Sequence, residues 1–384
     1  MPGRLVIEAV ENPRKHRDFV ELAWQINGRD PDWVPPLRME LAKLLDTKNY
    51  PFFNHGSAAF FIARRYGEPV GRIAAIENRL HLEHYKDKTG FFGLFECEDD
   101  QQAAKALFHE AAGWLKTRGL EHVRGPFNYS INDENPGVLV DGWNGPPQML
   151  MSYNPPYYGR LVESCGFGKC KDMYAYLVSP AIVKGERFAR VMNAVARRAP
   201  KLEHRQIRMD GKGFKQDVNT MLDLFNQAWA GNWGFLPVTK GEVDAIVKSL
   251  SPIVNPGLTN IVMVDGKPVA FMICVPNLNE VVIKIRNGKL FPTGIFKLLA
   301  GMRKIRGFRT MLMGVIPEYR NRGIDAVMIG RIIENGTRMH QQYCELSWVL
   351  EDNEPMNSLA EKVGSIRYRT YRIYEAKVDD LLKS

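Results

Sequence analysis

The sequence predicts a mixed α/β protein built from two copies of one domain, and three observations carry that reading. Residues 311–339, MLMGVIPEYRNRGIDAVMIGRIIENGTRM, pass from a short apolar run that suits a buried strand, through a tight polar loop, to Val327, Met328, Ile332 and Ile333 at helical spacing. Turn signals also recur at a fixed distance. Gly67-Glu68-Pro69-Val70 returns as Gly266-Lys267-Pro268-Val269, an offset of 199 (266 − 67), and Asn154-Pro155-Pro156 returns as Asn353-Glu354-Pro355, 353 − 154 = 199 again. Finally, 384 residues with 45% hydrophobic and 25% charged side chains give each half apolar mass for a core of its own.

In chain order, residues 4–10 alternate like a strand, and Asn12-Pro13 opens a helix through Phe19, Leu22, Ala23 and Ile26 that Pro31, Pro35 and Pro36 break. Residues 59–64 and 70–76 form a hairpin around Gly67, and 91–97 is the next strand. An amphipathic helix over 103–115 ends at Arg118-Gly119. The turn before it, Glu98-Asp99-Asp100, is acidic and would repel an anion. A polar loop then bunches Asn128, Tyr129, Asn132 and Glu134; it reads either as a structured Asx-turn loop or as a surface that recognises a second substrate. Asn154 starts a short helix that stops at Gly166, residues 171–178 are a strand, and 186–199 reads as a linking helix. The second half replays this order with a strand at 206–209, a helix carrying Val218, Met221, Leu222, Phe225 and Trp229, and a capping box at Thr239 and Glu242. The expected domains are therefore 1–180 and 203–384, joined by 181–202. Residues 284–309 interrupt the repeat. They mix Phe291, Phe296 and Leu299 with many Lys and Arg, the composition of a basic amphipathic helix that contacts an anionic membrane or an acidic carrier protein, or else of a core helix with a solvated basic side.

A net charge of +9 favours acidic partners, but no zinc-finger, helix-turn-helix or RNA-recognition signature is present, so nucleic acid is not an expected partner. The five cysteines are scattered with no C-x-x-C pair, which fits a reducing compartment without a disulfide framework. The N-terminus lacks an apolar signal core and no run approaches a membrane span, so a cytoplasmic protein is expected, peripheral to the inner membrane face if the basic segment binds there. His81-Leu82-Glu83-His84 reads as a surface pair, and no metal is expected.

The loop Pro317-Glu318-Tyr319-Arg320-Asn321-Arg322-Gly323 is where chemistry concentrates. Free N–H groups and the positive end of the following helix can converge there on an anion, Gly323 lets the backbone approach, and Arg320 and Arg322 add charge-assisted bonds to phosphate oxygens.

Val315, Pro317, Tyr319, Arg320, Arg322, Gly323 and Ile324 resemble the V-x-P-x-Y-R-x-R-G-I loop of the GCN5-related N-acetyltransferase superfamily, and the repeat is similar to its tandem two-copy members. That resemblance implies, in each half, a central, mostly antiparallel sheet flanked by helices. It also implies a strand that splays from its neighbour to admit a pantetheine arm, and a bound acyl-CoA or acetyl-CoA, an acyl carrier protein thioester being the alternative donor. Val315, Ile316, Arg320, Asn321, Arg322, Gly323 and Ile324 would hold this thioester in the second copy, with Asn353 against the pantetheine arm. The first copy, lacking the loop, would serve the acceptor side through Asn128, Tyr129, Asn132 and Glu134. Where family members place a proton-donating Tyr, seven residues after the Asn, this chain has Ala360, and Asp325 stands where they carry Gly or Ala. The acid is then water or a nearby tyrosine, Tyr368 with Tyr371 and Tyr374 beside it, and the base is Glu351 or water. The activity implied is N-acylation of an amine acceptor. Acyl groups longer than acetyl and lipid-like amines, sphingoid bases included, are the substrates the tandem members suggest. Acetylation of a small molecule or peptide, and acyl-CoA binding without turnover, are the alternatives.

Overall fold

The computed structural model describes residues 4–130, 135–179, 190, 193, 197, 201–238, 243, 247–248 and 251–383. The proposed linking helix lies almost wholly outside the described residues, as do Asn132, Glu134, Thr239 and Glu242.

The strands are β1 (Leu5–Ala9), β2 (Gly56–Arg65), β3 (Glu68–Asn78), β4 (Thr89–Cys97), β5 (His122–Gly125), β6 (Val138–Asp141), β7 (Gly168–Val178), β8 (Glu203–Gln206), β9 (Asn260–Val264), β10 (Lys267–Pro276), β11 (Gly307–Val315), β12 (Tyr343–Leu350) and β13 (Ile366–Lys377). Two compact units result, and neither is contiguous in sequence. The first comprises Met1–Asp172, Asn279–Arg303 and Arg369–Ser384; the second comprises Met173–Leu278 and Lys304–Tyr368.

Within the first unit the strands run β1-β2-β3-β4-β5-β13, with β6 also on β13. Within the second they run β8-β9-β10-β11-β12-β7. The two orders match position for position, which bears out the internal repeat. Each ladder is antiparallel apart from the pairs β4–β5 and β11–β12, which are parallel. Each sheet ends on the last strand of the other sequence half, β13 in the first unit and β7 in the second.

The repeated hairpins have one cause. Tyr66 and Gly67 (φ 54° and 84°) and Asp265 and Gly266 (φ 48° and 73°) are both left-handed pairs, the turn whose twist matches a two-residue hairpin. The helix Gln101–Lys116 buries Ala103, Ala104, Leu107, Phe108, Ala111, Ala112 and Leu115 on the first sheet. In the second unit the helix Ile324–Arg338 buries Ile324, Met328, Ile329 and Ile332, and the helix Gly211–Trp229 buries Phe214, Val218, Met221, Leu222 and Phe225. Asp217, fully buried in that last helix, accepts bonds from Arg205 and Arg208 at 2.7 and 2.6 Å and so fastens it to the β8 end of the sheet.

Residues 284–303 of the segment that interrupts the repeat pack in the first unit, and the rest belongs to the second. Arg286 donates to the carbonyls of Gly28, Asp30 and Trp33 at 3.0, 2.7 and 2.6 Å, while Trp24 Nε1 donates to the Arg286 carbonyl at 3.0 Å. His81, expected at the surface, is 3% exposed; its Nε2 lies 3.1 Å from Asp87 and its ring stacks on Tyr85. All five cysteines are free.

Candidate active site

β11 stays on β10 along its whole length but leaves β12 after the Thr310–Leu346 pair. Beyond that point the β12-facing edge of residues 311–315 is open, and a cleft of about 250 Å³ occupies the gap. Met311, Met313, Val315, Leu346, Ser347, Trp348 and Leu350 form its strand walls. Trp229, at the end of the helix Gly211–Trp229, supplies another wall; its Nε1 donates to the Met313 carbonyl at 3.1 Å and its ring meets Trp348 edge-on at 6.3 Å. These walls are apolar except for Ser347; Thr310 and Asn232 also line the cleft, which belongs wholly to the second unit.

At the mouth lies the loop read from the sequence. Pro317–Tyr319 is a single 3₁₀ turn, after which Asn321 (φ 59°) and Gly323 (φ 75°) are left-handed. Left-handed residues at alternate positions, after the extended Arg320, let neighbouring N–H groups turn toward one point, as in an anion nest. The N–H groups of residues 321–325 have no backbone acceptor among the described residues, and the helix Ile324–Arg338 starts immediately after Gly323. A nest on a helix N-terminus fits a pyrophosphate.

The two arginines do different work. Arg320 donates from Nε to the Val315 carbonyl at 3.3 Å and from its terminal nitrogen to the Ala228 carbonyl, tying the loop to the helix Gly211–Trp229. Arg322 is exposed and lies over the Tyr319 ring at 4.8 Å. Val315, Arg320, Asn321, Ile324 and Asn353 line the cleft; Ile316, Arg322 and Gly323 do not. Asn353 accepts the Met356 N–H at 3.3 Å as a helix cap. Asp325 lines the mouth, where its Oδ1 accepts the Ala326 N–H at 2.9 Å.

None of the candidate acid–base residues lines the cleft. Tyr368 donates its hydroxyl hydrogen to Glu345, which is fully buried, also accepts from Ser347 Oγ, and lies 3.6 Å from Arg309. A Tyr whose proton is engaged by a carboxylate is poorly placed to protonate a leaving thiolate. Glu351 sits one residue beyond the lining residue Leu350, half-buried. Ala360, at 1% exposure, packs in the core with Ile324 and Met328.

In the first unit the corresponding opening is filled by the chain itself. The Phe127 N–H donates to the Phe92 carbonyl at 2.8 Å, Asn128 Oδ1 accepts the Leu94 N–H at 3.0 Å, and a Cβ on Gly93 would come within 1.9 Å of the Phe127 carbonyl oxygen. Tyr129 is fully buried, stacked on Phe52 at 4.7 Å, with its hydroxyl on the Leu44 carbonyl. Asn128 and Tyr129 are thus structural in this unit, Asn128 because its Oδ1 closes the edge of β4 and Tyr129 because its buried ring and hydroxyl are held by Phe52 and Leu44. Asp100, whose side chain accepts the N–H groups of Gln102 and Ala103 at 3.0 and 3.1 Å and pairs with Arg65 at 2.6 Å, occupies the place an anion would take.

Trp229, Trp348, Thr310 and Ser347 were not legible as site residues. The three strand positions look like core, and Trp229 comes from a helix some eighty residues upstream of the loop, 313 − 229 = 84 to its partner Met313. Among the described residues no cluster of three or more His, Cys, Asp or Glu is placed to hold a metal.

No known family profile matches the sequence. The bacterial ceramide synthase of Caulobacter vibrioides is 35% identical over 379 residues, covering 97% of both chains. Protein YghO of Escherichia coli is 34% identical over 382 residues, covering 96% of this chain and 94% of that one. Among solved structures, a tandem GNAT protein from the clavulanic acid biosynthesis pathway aligns over 98% of both chains with a TM-score of 0.55 and 11% identity, a likeness of fold. The chain belongs to the family of this bacterial ceramide synthase, and its fold is that of the tandem GCN5-related N-acetyltransferases. As a family member it is an acyltransferase, and the fold implies an acyl-CoA or acetyl-CoA co-substrate together with an amine acceptor.

Proposed function

We infer that this tandem N-acyltransferase moves an acyl group longer than acetyl from coenzyme A to the amine of a lipid-like acceptor, sphingoid bases being the class favoured. The observation that carries this reading is the cleft behind the phosphate nest, in which Trp229, Trp348, Met311, Met313 and Leu346 form an apolar wall beside polar Thr310, Ser347 and Asn353. Such a wall gains by covering methylene groups, at roughly 0.8 kcal/mol for each one buried, whereas an acetyl group has none to cover. The 35% identity to a relative named bacterial ceramide synthase supports the same substrate class.

The bound thioester supplies an activated acyl carbon. The chain's own residues do the rest. The N–H groups of residues 321–325 hold the phosphates, Arg322 adds charge at the rim, and the open edge of residues 311–315 offers strand N–H groups to the pantetheine amides, the Met313 and Val315 carbonyls already accepting from Trp229 and Arg320. Backbone donors near Val315 polarise the carbonyl. The amine nitrogen bonds to the thioester carbon, the C–S bond breaks, and the proton lost by the amine passes through water to the departing coenzyme A thiolate, with Glu351 as the carboxylate close by in sequence. Contact with an anionic membrane or an acyl carrier protein is assigned to the inserted segment.

The test is mass spectrometry of products from palmitoyl-CoA with sphinganine, beside acetyl-CoA with small polar amines. An N-palmitoyl product is expected. Transfer only from acetyl-CoA, or thioester binding with no product in either mixture, overturns the reading.

A further inference from the structure

Three of the large hydrophobic side chains exposed among the described residues fall within the inserted segment: Phe291 at 64%, Phe296 at 70% and Leu299 at 58%. The others, such as Val6, Tyr66 and Ile366, are dispersed along the chain. Clustering of this kind on a water-facing surface marks an interaction site.

The helix Ile295–Met302 shows which side is unpartnered. Gly294 and Gly301, buried, and Leu298, half-buried, are spaced to share its inner face, where a Cβ on Gly301 would meet Val281 at 2.4 Å. Phe296, Leu299 and Arg303, at i, i+3 and i+7, share the opposite face. Lys284, Lys289 and Lys297 of the same segment are exposed, Lys297 Nζ donating to the Lys284 carbonyl at 3.3 Å, and between Glu280 and Glu318 the chain contains no Asp or Glu. The base is fixed. Arg286 clamps the carbonyls of Gly28, Asp30 and Trp33, and the Arg38 N–H donates to the Gly288 carbonyl at 2.9 Å.

We propose that Phe291, Phe296 and Leu299 insert into the interface of an anionic bilayer while Lys289, Lys297 and Arg303 bind its phosphates. The inference rests on the lipid-amine reading for its purpose, since an acceptor dissolved in a membrane must be met at the membrane surface. A bilayer fits better than an acidic carrier protein because the exposed face is led by large apolar side chains, with the cations around them. A carrier's acidic surface would pair the cations and leave the two Phe rings and the Leu against polar groups. An interfacial helix instead sinks its apolar side roughly 5–10 Å into the headgroup boundary, with lysines reaching back to the phosphates. The clamped base presents these side chains already ordered, so association carries little folding cost.

The experiment is flotation of the full chain with vesicles of phosphatidylcholine, with and without phosphatidylglycerol, at low and high salt. Wild type should float with the anionic vesicles only, and salt should release it. Phe291→Ser, Phe296→Ser and Leu299→Ser combined should weaken flotation at least about tenfold. Lys289→Gln and Lys297→Gln should each weaken it about fivefold. Circular dichroism melting should match wild type throughout, the replaced side chains being exposed. Wild type that stays unbound on anionic vesicles, a triple variant that floats like wild type, or capture on an immobilised acyl carrier protein without flotation each overturn the proposal. Flotation needs no turnover, so vesicle binding without N-acyl product would reject the functional reading and leave the membrane surface standing.

Discussion

Gly323 and Arg322 are neighbours with separable jobs. At φ 75° Gly323 holds a conformation that costs an L side chain about 1 kcal/mol, and that conformation aims the nest. Gly323→Ala should therefore lower coenzyme A affinity with a stability loss of about 1 kcal/mol, read by calorimetric titration and by melting. Arg322 is exposed and holds no other element in place. Arg322→Glu should weaken coenzyme A binding about tenfold or more while the melting temperature stays within a degree or two; unchanged affinity would remove the phosphates from this loop. Arg320 differs from both. Its guanidinium is committed to the Val315 and Ala228 carbonyls, so its loss should loosen the loop as a structure. The lesson extends to Tyr129, which has the residue type of a binding loop and is fully buried.

Among elements, the contrast between the two strand–turn–helix units is the most instructive. β11 and β12 part and leave a cleft, while the gap beside β4 is closed by residues 127–128. The helix after the second gap begins with open N–H groups, and the helix after the first is capped by Asp100. Asp100→Ala should cost about 1 kcal/mol of stability through the lost cap and leave coenzyme A affinity unchanged. Equal loss of affinity at both turns would mean two donor sites. The inserted segment is held just as specifically. Arg286→Ala removes donors to several carbonyls at once, and hydrogen exchange over residues 279–303 should rise well above that of the β2–β3 hairpin.

For the whole molecule, acid should destabilise in two stages. Burial pushes the His81 imidazole below its ordinary value of 6.5, with Asp87 opposing, so the folded state resists a proton that the unfolded chain accepts. Stability from this group is present above about pH 6.5 and is lost as pH falls below it. Burial alone would raise the Asp217 carboxyl, but the bonds from Arg205 and Arg208 outweigh it and hold the group below its ordinary 3.8. Its contribution is present above about pH 4 and is lost on further acidification. Melting temperature against pH should show both limbs. His81→Gln should flatten the upper limb and Asp217→Asn the lower, whereas an unaltered upper limb would mean that His81 is free to titrate in the folded state.

Local chemistry was legible in the sequence wherever it depends on residues near one another. The two left-handed hairpin turns, the acidic cap of the helix Gln101–Lys116, and the nest from Arg320 to Ile324 all follow from side chains a few positions apart, and the repeat announced itself through turn residues that backbone geometry makes hard to replace. Only the tertiary structure decided what those pieces join. Nothing local says that β13 completes the first unit and β7 the second, since a strand's alternation fixes which face is buried and not which edge it pairs with. The walls of the cleft, Trp229 and Trp348, were equally hidden, because an apolar residue lining a site and one filling a core obey the same periodicity and differ only in whether another chain segment covers them.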